Sequence, residues 1–107
     1  MKIFIVAAAA GMLTGAVAAY AAGDLTIRQK GKVFSETEIS LKKGQELTFL
    51  NDDNIAHNVM STTADNKFNL GLIAPGNATA VTFKTAGDIR VICAIHPTMK
   101  MTVKVTD

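Results

Sequence analysis

Between Leu25 and Val105 lie short runs in which apolar side chains recur at every second position, and that period leaves little choice of fold. Leu25 and Ile27, Ile39 and Leu41, Leu47 and Phe49, and Val81 and Phe83 form short runs of this kind. Ile89, Val91 and Cys93 form another, and Val103 and Val105 a last one. Successive side chains of a strand point to opposite faces, so this period predicts strands with one face in a core. Lys43-Gly44, Asn51 to Asn54, Pro75-Gly76-Asn77 and Ala86-Gly87-Asp88 separate the runs and have the composition of turns. No helical stripe interrupts the pattern. Six or more short strands in so short a chain predict an all-β domain, a small antiparallel sandwich or barrel.

The residues ahead of this pattern follow a different rule. Met1-Lys2 gives a positive start, Ile3 to Ala18 is an apolar run, and Ala19-Tyr20-Ala21 offers a small-x-small cleavage pattern. These are the parts of a secretory signal peptide. Residues 1–21 are therefore expected to direct export to the periplasm and be removed, leaving a domain over 22–107. The apolar run is rich in Ala, Gly and Thr, a weak composition for a span that needs about 20 strongly apolar residues. No membrane attachment is expected once the leader is gone.

Losing Lys2 with the leader lowers the formal charge from +2 to +1. No basic stripe appears, so nucleic acid is not an expected partner. The chain has one cysteine, Cys93, and in an oxidising compartment it cannot close an internal disulfide. A lone exported thiol is open to oxidation unless it is buried or bound. A domain this small also has a marginal core, to which a bound metal can add stability.

The chemistry gathers in Cys93-Ala94-Ile95-His96-Pro97-Thr98-Met99, where a thiol, an imidazole and a thioether fall within seven residues at a strand end. The only other histidine, His57, stands where the polar Asn51–Asn54 turn gives way to Asn58-Val59. If the two turns share one end of the sandwich, these side chains meet. Two imidazoles and a thiolate with a weak axial thioether form a donor set that selects copper. Soft sulfur suits Cu(I) and nitrogen suits Cu(II), so such a site serves both states with little rearrangement. The expected ligands are His57, Cys93, His96 and Met99. Met101 is the other possible axial sulfur; Met99 is favoured because Met101 shares the parity of Val103 and Val105, which suits a core position. Asn58 is placed to brace the second loop and the thiolate. Lys42-Lys43, Asp52-Asp53 and Lys100 read as solvated charge.

The pair Asp53-x-x-x-His57-Asn58-Val59 and Cys93-x-x-His96-Pro97-x-Met99 resembles the cupredoxins, the type 1 blue copper proteins. The short ligand loop is most like those of amicyanins and plastocyanins. Val81-Thr82-Phe83, Gly87, Cys93 and Met99 to Val105 follow in the same order, so the resemblance covers most of residues 22–107. It implies a Greek-key β-sandwich holding one copper ion and an electron shuttle rather than an enzyme. The implied partners are redox proteins, such as a dehydrogenase or a c-type cytochrome, met transiently by a monomer. One departure stands out: Val91 and Ile89 occupy positions where relatives usually place Tyr or Phe before the ligand Cys. Two rivals remain. A copper carrier or resistance protein would use Met60, Met99 and Met101 around the same His/Cys site. A metal-free thiol protein would use a Cys-His pair as nucleophile.

Overall fold

A computed structural model describes residues 25–107. The expected leader, residues 1–21, and the first residues of the expected 22–107 domain lie outside this range. Nine strands follow one another: β1 (Leu25–Lys30), β2 (Val33–Phe34), β3 (Glu38–Lys42), β4 (Glu46–Asn51), β5 (His57–Ser61), β6 (Phe68–Ile73), β7 (Ala78–Thr82), β8 (Gly87–Cys93) and β9 (His96–Thr106). There is no helix among the described residues.

The strands form two sheets, in the orders β2-β1-β4-β7 and β3-β9-β8-β5-β6. The expected β-sandwich is thus present, with one difference in pairing. Two neighbouring pairs, β1 with β4 and β3 with β9, run parallel, so neither sheet is purely antiparallel. The cause is connectivity. After β1 the chain crosses to the other sheet as β3 before returning as β4, and only such a crossover can bring two strands side by side in the same direction.

The two-residue period becomes the inner layer. Ile27, Leu41, Leu47, Phe49, Ile89, Val91, Cys93 and Val103 are fully buried, while their alternate neighbours face outward. Each large apolar side chain contributes roughly 1.5–3 kcal/mol when removed from water. Ile89 and Val91, in place of the aromatic residues of the resemblance, are ordinary aliphatic members of this core. Phe83 packs edge-on against Phe68 at 5.8 Å, closing the sandwich between β6 and β7.

Two features escaped the pattern. β6 is a six-residue strand whose alternation is broken at Gly71, which sits at φ +73°, a conformation that favours glycine. The turn expected at Ala86–Asp88 lies earlier, because β8 already begins at Gly87.

One end of the sandwich is tied together by loop contacts. Asn51 at the end of β4 exchanges backbone hydrogen bonds with the Pro75–Asn77 turn: its N–H donates to Asn77 (2.9 Å) and its carbonyl accepts from Gly76 (2.8 Å). Its buried side chain donates to the carbonyls of Ile55 and Ile73, each at 2.8 Å, and accepts from the Asp53 N–H at 2.9 Å. A single asparagine thus shapes the loop that delivers His57.

Candidate metal centre

His57 is the first residue of β5, and Cys93 and His96 are the last of β8 and the first of β9. Only Ala94 and Ile95 intervene between the last two, forming a tight turn. Up to Ile92↔Lys100 the β8–β9 ladder runs in regular register; it then shifts, so that Cys93 stands opposite His96. The turn itself therefore makes Cys93 and His96 cross-strand neighbours. β5 lies beside β8 in the same sheet and brings His57 to them.

Ligand atoms of His57, Cys93 and His96 all lie within 4.8 Å of one another. The two imidazole rings are tilted at 58° with centroids 5.0 Å apart. His57 and Cys93 have no exposed surface, and His96 is partly exposed. Cys93 Sγ and His96 Nδ1 are 3.7 Å apart, a separation of atoms flanking a shared position rather than of a strong hydrogen bond. His57 Nε2 lies 3.0 Å from Asp53 Oδ2, and His57 Nδ1 is buried without any partner. A buried polar nitrogen is costly unless something satisfies it. A metal ion beside Cys93 and His96 would do so, and the donor set of two imidazoles and a thiol fits copper.

Asn58 holds this arrangement together, as its position in the sequence suggested. Its backbone N–H donates to Cys93 Sγ at 3.2 Å, tying β5 to the sulfur at the end of β8. Its side-chain oxygen accepts from the Ala94 N–H at 3.0 Å, pinning the turn. Its side-chain nitrogen donates to Asn69 Oδ1 and to the Gly71 carbonyl, both at 2.9 Å, so the same residue also binds β6. Below it, Gln29 of β1 reaches across the sandwich to the Asn58 carbonyl at 3.3 Å.

Met99 is almost fully buried, but parity does not distinguish it from Met101. Met99, Met101, Val103 and Val105 all lie on the inward face of β9, so that ground for preferring Met99 fails. Register supplies a better one. Met101 stands opposite Val91 and Lys100 opposite Ile92, after which the register shifts and Cys93 pairs with His96. Met99 therefore lies two residues, roughly 6.5 Å of strand, nearer the Cys93–His96 end of β9 than Met101 does. Met60 pairs with Ile92, whose side chain alternates away from Cys93, so Met60 lies on the outer side of the sheet.

The expectation that Asp53 is simply solvated charge needs correction. Only 16% of its side chain is exposed, and its carboxylate accepts from Gly31 N–H (3.0 Å) and Asn54 N–H (2.9 Å) as well as meeting His57. Contact with His57, with help from the Asn54 and Gly31 amides and against some burial, holds its pKa below the ordinary Asp value. Asp52 and Lys43 do fit the simpler reading, in exposed pairs with Arg28 at 3.6 Å and Asp107 at 3.2 Å. The only hint of Asp53's role in the sequence was its place four residues before His57.

Comparisons agree with the chemistry. The profile of the copper binding proteins, plastocyanin/azurin family, matches residues 21–106. A purple cupredoxin from Nitrosopumilus maritimus superposes with a TM-score of 0.68 at 22% identity, covering 77% of this chain and 99% of that one. Amicyanin from Paracoccus versutus does so with 0.69 at 22% identity, covering 79% and 83%. A copper-containing nitrite reductase from Thermus scotoductus gives 0.72 at 22% identity over 78% of this chain, which spans only 22% of that enzyme. At these identities the likeness is one of fold. Comparison with curated proteins gave no significant match.

Proposed function

Because this chain belongs to the copper-binding plastocyanin/azurin family, we propose that it is an exported electron carrier whose single copper is held by His57, Cys93, His96 and Met99. The observation that carries this reading is the convergence of two imidazoles on one buried thiol, with His57 Nδ1 left without a protein partner. Bound there, copper supplies a one-electron couple between Cu(I) and Cu(II).

The protein's own part is to hold the donors still and dry. The Cys93–His96 turn and the Asn58 bonds fix three of them on strand ends rather than on long loops. Burial of His57, Cys93 and Met99 keeps these side chains out of contact with bulk solvent. Donors that keep their places in both oxidation states lower the reorganisation that each transfer requires.

His96 provides the route outward. It is partly exposed, and Ile95, Leu72 and Ile55 nearby expose 50%, 70% and 38% of their surface. Ile95 adjoins His96 in the turn, Leu72 pairs with Asn58, and Ile55 stands two residues before His57. An apolar rim of this kind suits a small, transient contact with a redox protein such as a dehydrogenase or c-type cytochrome. Residues 1–21 are read as the signal that takes the chain to the periplasm, where it acts as a monomer.

The test is spectroscopic. Copper-loaded protein should absorb strongly in the visible when oxidised, bleach on reduction, and recover through repeated cycles without losing the metal. Cys93→Ser should abolish the band. A colourless oxidised copper form would overturn the reading, and ready surrender of copper to a competing acceptor would favour a carrier instead.

A further inference from the structure

Cys93 receives its hydrogen bond from Asn58 of its own sheet, whereas His57 is gripped by an anionic group. Its Nε2 meets Asp53 Oδ2 at 3.0 Å while the ring is wholly buried. The same oxygen accepts from the Gly31 N–H at 3.0 Å, and Gly31 lies in the turn between β1 and β2, in the opposite sheet. The other carboxylate oxygen is occupied by the Asn54 amide, and the Asp53 N–H is anchored on Asn51. The carboxylate therefore has little freedom to turn away, and it joins the copper ligand to a turn of the other sheet.

We infer that Asp53 is a positioning residue of the metal centre: its carboxylate accepts a hydrogen bond from the Nε2–H of His57, fixes that ring with Nδ1 toward Cys93 and His96, and sets a negative charge against the ligand. The inference rests on the copper reading given above. The physical grounds are two. A ligating imidazole whose far N–H is held by a carboxylate is locked in one tautomer and made a stronger donor. A nearby anion also stabilises the more highly charged of two oxidation states. Both effects act in the same direction. Asp53 strengthens the hold on Cu(II) more than on Cu(I), and so keeps the reduction potential lower than the four ligands alone would set it.

Loss of such a partner typically weakens metal binding by about 10- to 100-fold. If the loss falls mainly on Cu(II), each tenfold raises the potential of a one-electron couple by about 59 mV. Asp53→Asn removes the charge and keeps an oxygen for the His57 and Gly31 N–H groups; Asp53→Ala removes both. Asp52→Asn is the control, since it neutralises the adjacent residue, which pairs with Arg28 rather than with a ligand.

Wild-type protein and the three variants are loaded with copper, checked for folding by circular dichroism, and titrated for potential; Cu(I) and Cu(II) affinities are measured by chelator competition. The expected result is a raised potential and selectively weakened Cu(II) binding in Asp53→Asn, a larger change in Asp53→Ala, and little change in Asp52→Asn. A folded Asp53→Asn protein with the wild-type potential would overturn the inference, as would an equal shift in Asp52→Asn. Should Asp53→Ala fail to fold, Asp53→Asn still decides. Failure of the wild type to form a coloured copper protein would instead remove the functional reading on which the inference stands.

Discussion

Replacing Asn58 by Ala should destabilise the metal-free protein by about 2 kcal/mol, and the estimate can be built bond by bond. The side chain is 5% exposed and makes three neutral hydrogen bonds, to Asn69, to Gly71 and from Ala94. A neutral bond contributes a net 0.5–1.5 kcal/mol, so three give roughly 1.5–4.5 kcal/mol. The three partner residues all lie on the exposed side of the fold, where water can replace the lost contacts, which favours the lower half of that range. For a domain of this size a loss of about 2 kcal/mol lowers Tm by roughly 8–16 °C. The backbone bond from residue 58 to Cys93 Sγ does not depend on the side chain. Thermal unfolding of the copper-free variant, followed by circular dichroism, measures the loss directly; the copper-loaded variant should remain coloured. A fall of less than about 2 °C in the metal-free protein would mean that Asn58 does not hold the Ala94–Ile95 turn against β6 as described.

Other outcomes follow from the same geometry. Met99→Ala should alter the colour and potential of the copper form. Met101→Ala should leave both nearly unchanged while costing about 2–5 kcal/mol in a denaturant titration, as for other buried methionines. Leu72→Lys and Ile95→Lys should slow electron exchange with a redox protein in stopped-flow measurements without changing the spectrum. In the metal-free protein, Asp53 is less ready to take a proton when folded than when unfolded. Its contribution to stability is therefore present above the ordinary Asp pKa of about 4 and is lost as pH falls through the lower folded value. Urea midpoints should drop over that acidic window, and Asp53→Asn should flatten the drop.

Much of this was legible in the order of residues because a strand's period is simple and a copper donor set is distinctive. Ile89, Val91 and Cys93 pointed inward as their spacing required, and the Cys93–His96 segment marked the site before any fold was known. What stayed hidden depended on distances between segments. The parallel pairing of β1 with β4 arises from a crossover between sheets, which no local pattern records. β6 was missed because Gly71 breaks its alternation, and β2 because two residues carry no period. The depth of Met99 relative to Met101 is a matter of ladder register, to which parity is blind. Asp53 looked like one of two adjacent surface acids; only the approach of the Gly31 turn from the other sheet makes it a fixed partner of His57.

The tight connection of Ala94 and Ile95 has a consequence for how a protein of this kind can change. With no slack between sulfur and imidazole, their spacing is set by the length of a single bend and not by the packing of either layer. Lengthening that bend by a residue would remodel the redox centre while every inward-facing side chain of the sandwich kept its neighbours. The separation of these two donors can thus be altered through Ala94 and Ile95, two exposed residues that take no part in the core.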